Sequence, residues 1–454
     1  MRPAVEAEKL GIPGVVITTT GFTNIARTVA KAEGLAALRV GEYPGAVGVH
    51  EEALIERNVE QVLFPRIVEA LTGPVPRSAG ATPAATGAGR PASIAFEGTW
   101  DEIQAHFRER EWADGHPFVP PTPGRIEAFL RHTDRDPDAA VAVLPPGNLT
   151  ATPRTIAANG VMAGCPPQSM PVLIALVEAL ADNRYNLANI GSTWGVLPYV
   201  LVTGPAVQHL GMESGAHLIS RGSNPAIGRA LGLIVRNLAG FRLGRNYMGT
   251  FGYPVNFALA ENQADSPWEP YHVEKGLGSG DSAVTVGATV TWGWPPAIYG
   301  TADKTAAQSA LEFLALECTK KPCLARLAER GPRAFRNMIT VLLAPPIARS
   351  LAQAGYSRQD IREYLYEHAR VPYRELEFLL KYGHSEAFTI PDAIERGLYP
   401  EAYRVGPDER VRVLPSPDVV EIVVCGDPHR NRAMVLWGGY ANPVTRKVIV
   451  AQPR

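Results

Sequence analysis

Cys165 lies in the run Asn159-Gly-Val-Met-Ala-Gly-Cys165-Pro-Pro-Gln-Ser-Met-Pro-Val-Leu, where a glycine-proline turn delivers a thiol to the mouth of an apolar helix. Unpaired N–H groups and the positive end of a helix dipole favour thiolate over thiol, so this pattern predicts a reactive nucleophile at 165. The plainer alternative is a small buried residue filling a turn. A thiolate usually works beside a group that titrates near neutrality. Among the ten histidines, His272 in Ser266-Pro-Trp268-Glu-Pro-Tyr-His272-Val-Glu274 has two flanking glutamates that would raise its basicity. His116, in the tight turn Asp114-Gly-His116-Pro, is the second candidate. Either is equally an ordinary loop histidine, and spacing leaves open whether one of them meets Cys165.

A second constellation is Ser220-Arg-Gly-Ser223-Asn224-Pro-Ala-Ile-Gly-Arg229. Ser223 or Asn224 would cap a helix that Pro225 opens. Free N–H groups there, with Arg229 one turn on, would hold a carboxylate or phosphate, although most such helix starts bind nothing. The glycine spacing of a P-loop or dinucleotide fingerprint is missing, so no cofactor is identified. Asn159 and Trp268 join Ser223, Asn224 and Arg229 as expected substrate contacts. Cys318-Thr-Lys-Lys-Pro-Cys323 has no second ligand pair beside it to complete a zinc site, so no metal is expected. Cys425, closing an apolar run before Gly426-Asp-Pro-His429, reads as core. The tryptophans at 194, 268, 292 and 294 stand among Gly and Pro, as the wall of an apolar pocket or as aromatic core.

The elements that must position these residues fall into two unequal parts. With 454 residues, 46% hydrophobic and 20% charged, the chain can bury two or three cores. Its 44 basic and 45 acidic residues nearly cancel, which excludes global recruitment of nucleic acid or an anionic membrane. Sparse cysteines and the absence of a leader pattern predict a reduced, cytoplasmic protein. No uncharged run approaches the roughly 20 residues that span a bilayer. Residues 1–72 read as a partial Rossmann-like β-α-β-α fragment, 73–95 as a flexible Gly/Pro/Ala linker, and 96–454 as one large α/β domain. In that domain, helices are predicted at 99–111, 125–132, 171–181, 225–237, 306–315, 334–342 and 361–369, and strands at 199–203, 282–291 and 419–424.

Several stretches resemble the bacterial UGSC-type proteins, named for a Sec/Cys-Gly-Ser-Cys redox motif in an N-terminal Rossmann-like domain. They are Glu6-Ala-Glu-Lys-Leu-Gly-Ile-Pro-Gly-Val-Val-Ile-Thr-Thr-Thr-Gly-Phe22, Asp114-Gly-His-Pro-Phe-Val-Pro-Pro-Thr122, Asn159 to Cys165, Asn224 to Ala230, Glu261 to His272 and Arg349 to Arg370. In the family the motif directly precedes the helix that begins here at Met1, and it does not occur in this sequence. The resemblance implies a thiol- or selenol-dependent redox enzyme, or a subunit of one, and names no substrate; the residues themselves add Cys165 as its thiol and, from the Asn224–Arg229 helix start, a small anionic metabolite. Because two strands cannot close a core, the first 72 residues predict a homo-oligomer, or a heteromer with a subunit carrying the first Rossmann half. A cofactor-independent cysteine lyase or hydrolase, and a non-catalytic scaffold, are the alternatives.

Overall fold

The computed structural model describes residues 2–32, 35, 38–73, 94–253, 255–320, 338–383, 389–397 and 399–450. Nearly all of the expected linker, and Cys323, lie outside these residues.

The N-terminal unit builds a parallel strand pair. The β-branched run β1 (Val16–Thr19) follows α1 (Arg2–Lys9), and α2 (Thr23–Ala32) crosses to β2 (Val40–Tyr43). The pair is parallel with Val16 opposite Val40. Helix α3 (Glu52–Asn58) continues through a wide turn at Val59–Leu63 into α4 (Phe64–Thr72), the long helix that the sequence predicts. Only one face of this small sheet is well covered: Ile17 on β1 is 59% exposed.

The larger region opens with α5 (Trp100–Glu109), α6 (Pro123–Leu130) and a hairpin of β3 (Ala142–Leu144) and β4 (Leu149–Ala151). It then forms four layers. Helices α7 (Pro153–Ala163), α8 (Met170–Ala181) and α10 (Asn224–Asn237), with the short α9 (Ala206–His209) between the last two in sequence, lie on a four-stranded sheet. That sheet has the order β13 (Val444–Lys447), β7 (Ala283–Thr289), β5 (Leu197–Thr203), β6 (Ala258–Ala260). A second sheet sets β8 (Ile339–Leu343) between a parallel β11 (Val420–Val424) and an antiparallel β12 (Ala433–Trp437). Its outer face carries α12 (Ala306–Thr319), α13 (Pro345–Gln353) and α14 (Arg358–His368). The short α11 (Tyr271–Glu274) precedes β7.

Strand periodicity explains the layering, because alternate side chains point to opposite faces. In the first sheet Val200, Val202, Val284 and Val286 join the core under α7, α8 and α10. Their neighbours Tyr199 and Leu201 join Leu342, Val423, Met434 and Leu436 of the second sheet in a core between the sheets. Ile339, Val341, Ile422 and Val424 face the outer helices. Every residue of β5, β7, β8 and β11 is buried, so these strands read as continuous apolar runs instead of alternating ones.

The α/β class expected from the sequence is what the chain adopts, and the strands near 199, 282 and 419 form. One prediction fails. The helix expected over 334–342 is in its described part the central strand β8, because Ile-Thr-Val-Leu-Leu is β-branched and apolar and is paired on both edges. Across the two sheets the Tyr199 hydroxyl and the Thr340 hydroxyl share a hydrogen bond of 2.7 Å. Opposite Tyr199 on β7 stands Gly287, where a Cβ would meet the tyrosine ring at 2.4 Å. Gly287→Ala therefore overpacks the seam between the sheets, and chemical denaturation should show a loss of about 1–3 kcal/mol. An unchanged midpoint would mean that the ring has free room.

Candidate functional site

Cys165 sits after a helix, and the local chemistry inverts the expectation. Helix α7 is entered at Thr152, whose hydroxyl accepts from the Thr155 N–H, and it ends at Gly164, left-handed at φ 82°. The Cys165 N–H donates to the Gly160 carbonyl at 3.0 Å. The residue thus lies at the carbonyl end of α7, where the dipole opposes a negative charge. A three-residue turn, Pro167–Ser169, separates it from α8. Cys165 is 7% exposed, and burial pushes its thiol up to about 12 against a partial lowering by Arg229. The thiol that the sequence reads as reactive is therefore buried, in surroundings that favour its protonated form. Cys425 is likewise buried and pushed up to about 12, and Cys318 is buried in the second core.

The expected anion site is filled from within. Arg229 donates Nε–H to Asp114 Oδ2 at 2.8 Å and Nη2–H to Asp114 Oδ1 at 2.9 Å. Nη2 also reaches the His116 carbonyl at 3.3 Å. Burial by itself would raise the Asp114 carboxyl, but the hydrogen bonds and charge of Arg229 outweigh it and hold it below its ordinary value. The guanidinium fork already grips a carboxylate in two-pronged geometry. Asn224, fully buried, accepts the Glu213 N–H at 2.8 Å and donates to the Glu213 carbonyl at 2.9 Å. Ser223 donates its hydroxyl to the Leu210 carbonyl and caps nothing. These side chains pin the 210–213 loop to the start of α10. Asn159 is equally structural: it donates to the Thr155 carbonyl and accepts from Asn237.

The histidines separate. His116 is exposed, beside the Asp114–Arg229 pair and so in the neighbourhood of Cys165. His272 on α11 is fully buried, with Nδ1 3.5 Å from Gln263 Nε2 and Nε2 without a partner among the described residues. No interaction joins His272 to Cys165 among the described residues. Trp268 donates to the Tyr356 carbonyl at 3.2 Å, and the Arg358 guanidinium stands 5.6 Å from its ring centroid. Arg358 lies between Glu261, at 3.4 Å, and Glu274, at 3.2 Å, and Glu274 also pairs with Arg362. Burial raises the Glu261 carboxyl against the Tyr271 N–H and the Arg358 charge. Among the described residues, no group of three or more His, Cys, Asp or Glu side chains could hold a metal ion.

The open space lies elsewhere, in a cleft of about 1080 Å³ at the carboxyl end of β5. One wall is the stretch after α6, with Arg131, His132 and Asp134; a second is Gln168 and Pro171 at the start of α8; a third is His209 of α9. Its floor depends on Gly204, at φ 84°, where a Cβ would meet the Asp281 carbonyl oxygen at 2.2 Å. That approach lets Ser282 Oγ accept the Ala206 N–H at 2.9 Å and brings Asp281 into the cleft. Lys447 holds the Asp281 carboxyl below its usual range. None of the residues singled out from the sequence lines this space. Gln168, three positions after Cys165, was the available signal.

Residues 1–73 match the model of the UGSC family. No curated protein matches the chain. The match ends where α4 ends, so the UGSC unit is the β1–β2 pair with its helices, and the cleft lies outside it.

Two outcomes follow. Moving a thiol from 9.0 to about 12 lowers its thiolate fraction at neutral pH by about a thousandfold. Iodoacetamide at pH 7 should leave Cys165 of the native protein essentially unlabelled while the unfolded chain reacts, as read by peptide mapping; rapid native labelling would refute the burial. Asp114→Asn should cost about 1.5–3 kcal/mol at pH 7, the range for a hydrogen bond to a charged group. Because the folded pKa of Asp114 is depressed, its contribution is complete above the unfolded value near 3.9 and is lost as pH falls through the folded one. The stability gap between wild type and variant should therefore close on acidification. A gap that persists unchanged below that range would exclude the ion pair as its source.

Proposed function

We propose that the chain is an enzyme, or a subunit of one, that acts on a small anionic metabolite by proton transfer in the cleft at the carboxyl end of β5. The observation that carries this reading is the cleft itself, about 1080 Å³ and walled by two imidazoles and several charged side chains. Arg131 and His132 stand on one wall and His209 on another, while Asp134 and Asp281 lie on the same rim. The guanidinium would meet a carboxylate, and an imidazole is the side chain suited to give and take a proton near neutrality. Gln168 would orient a hydroxyl or carbonyl group.

A thiol- or selenol-dependent redox reaction through Cys165 is the second reading. It rests on the UGSC match and on the Arg229 charge beside the thiol, and it requires the burial of Cys165 to be relieved. The proton-transfer reading needs no such rearrangement and stands first. Partner association is supported by the UGSC unit, whose two-stranded parallel sheet leaves Ile17 at 59% exposure. Parallel sheets are stable when both faces are covered, so this unit should take further cover from another copy or from a subunit supplying more strands.

Calorimetric titration of the whole chain with small mono- and dicarboxylic acids tests the cleft. Acids that bind should do so about tenfold or more weakly in Arg131→Ala, and any turnover should fall by about a hundredfold or more in His132→Ala or His209→Ala. An acid that binds and turns over equally in all three variants would locate the chemistry elsewhere. Light scattering should find a species larger than the 48.9 kDa monomer, and a dispersed monomer would remove the association reading.

A further inference from the structure

The UGSC unit carries a separate groove, of about 510 Å³, between α2 and α4 over the edge of β2. Three guanidinium groups line it: Arg27 on α2, Arg39 just before β2, and Arg66 on α4. We propose that this groove binds a phosphate-bearing small molecule, with Arg27 and Arg66 gripping the phosphate and the buried Arg39 supplying a spare N–H donor behind them.

The side chains are incompletely satisfied within the protein. Arg39 is 6% exposed. Its Nη1 donates to the Ala70 carbonyl at 2.7 Å and its Nε faces Glu8 across 3.3 Å, but its Nη2 has no acceptor among the described residues. A buried guanidinium with an unmade hydrogen bond is costly, and structures keep such groups where a ligand or a function repays them. Arg66 donates one Nη1 bond to the Glu42 carbonyl, at 3.0 Å, and forms no ion pair among the described residues. Arg27 has neither an ion pair nor a hydrogen-bond partner there. Two carboxylates share the groove. Glu42 is engaged by the hydroxyls of Thr20 and Thr23, which spread its charge at the far end. Glu69 is exposed and unpaired among the described residues. Glu8 offsets the charge of Arg39 from behind, and with the Glu42 carboxylate held by two hydroxyls, Arg27 and Arg66 are left facing the concave space without an ion pair among the described residues. Guanidinium groups match phosphate oxygens in two-pronged geometry better than ammonium groups do. The charge pattern also predicts the sign of each variant: removing an arginine weakens binding, and neutralising Glu69 strengthens it.

The test uses the whole chain and inorganic pyrophosphate as the probe, in low-salt calorimetry. Wild type should bind, about tenfold or more weakly in Arg27→Ala and in Arg66→Ala, and more tightly in Glu69→Gln. Arg27→Lys should fall between wild type and Arg27→Ala, because it keeps the charge and loses the fork. Rising salt should weaken all of these. Both arginines are exposed, so melting curves without ligand should be unchanged and loss of binding is not loss of fold. Absence of binding at millimolar pyrophosphate, or equal affinity in the Arg27→Ala/Arg66→Ala double variant and wild type, overturns the proposal.

Discussion

The larger region depends on two sheets being buried on both faces at once. A sheet with helices on one side and water on the other can alternate apolar and polar residues, but β5, β7, β8 and β11 have no exposed residue at all. The inner face of each sheet is covered by the other sheet, and the outer face by its own helices. The seam is mostly aliphatic, and polar groups in it are partnered, as Tyr199 with Thr340 and Tyr271 with Glu421, which also takes Lys275. Backbone also crosses between the layers: the Asn262 N–H donates to the Val424 carbonyl at 2.9 Å, and the Val290 N–H to the Trp437 carbonyl at 2.8 Å. The carboxyl ends of β6 and β11 are thereby held together, so the loops that leave them are fixed relative to one another.

That constraint decides which polar groups are scaffold and which are free to react. At the carboxyl end of β6 the chain emits Glu261, which is 2% exposed, so its charge must be met inside by Arg358 and the Tyr271 N–H. Arg358 is shared in turn with Glu274, and Glu274 with Arg362, giving a chain of alternating charge along α14. Buried ion pairs of this kind contribute little net stability, because desolvation offsets much of their attraction, but losing one partner strands the other. The Asp114–Arg229 pair obeys the same rule at the amino half of α10. Both clusters contain the residue types of a catalytic site, and both use them to tie loops to helices.

Much of the fold was legible in the sequence, and the reason is periodicity. The apolar runs at 199–203 and 419–424, the helix starts at Pro171 and Pro225, and the β-α-β-α order of the first 72 residues all carry local signals. The stretch 339–343 was misread because a short apolar run has no periodicity of its own, and only its two strand neighbours decide its state. The site was far less legible. Cys165 looks like a helix-start thiol because Gly164 and Pro166 mark a turn, but the sequence does not say that the turn closes one helix before it opens the next. Arg229 looks like a free anion hook because its partner, Asp114, stands 115 residues away. The cleft was invisible since its walls come from five separated segments, and its floor depends on Gly204, which matters only through the Asp281 carbonyl that it admits.

Burial also sets the order of the chemistries open to this protein. Fixing a charge on Cys165 or Cys425 at neutral pH means working against desolvation that pushes each thiol up to about 12, and Arg229, the cation that favours a charge on Cys165, is already committed to Asp114. A thiol mechanism would therefore need a movement that separates Asp114 from Arg229, freeing the guanidinium and admitting water together. The packing resists it: a Cβ at Gly160 would come within 2.7 Å of both Leu173 and Phe129, so α7 is seated tightly against its neighbours in front of Cys165. His132 and His209 meet no such obstacle, because they stand in the wall of an open cleft where water and a small acid can reach them. Between a nucleophile that must be uncovered and imidazoles already in contact with solvent, the smaller reorganisation favours proton transfer in the cleft.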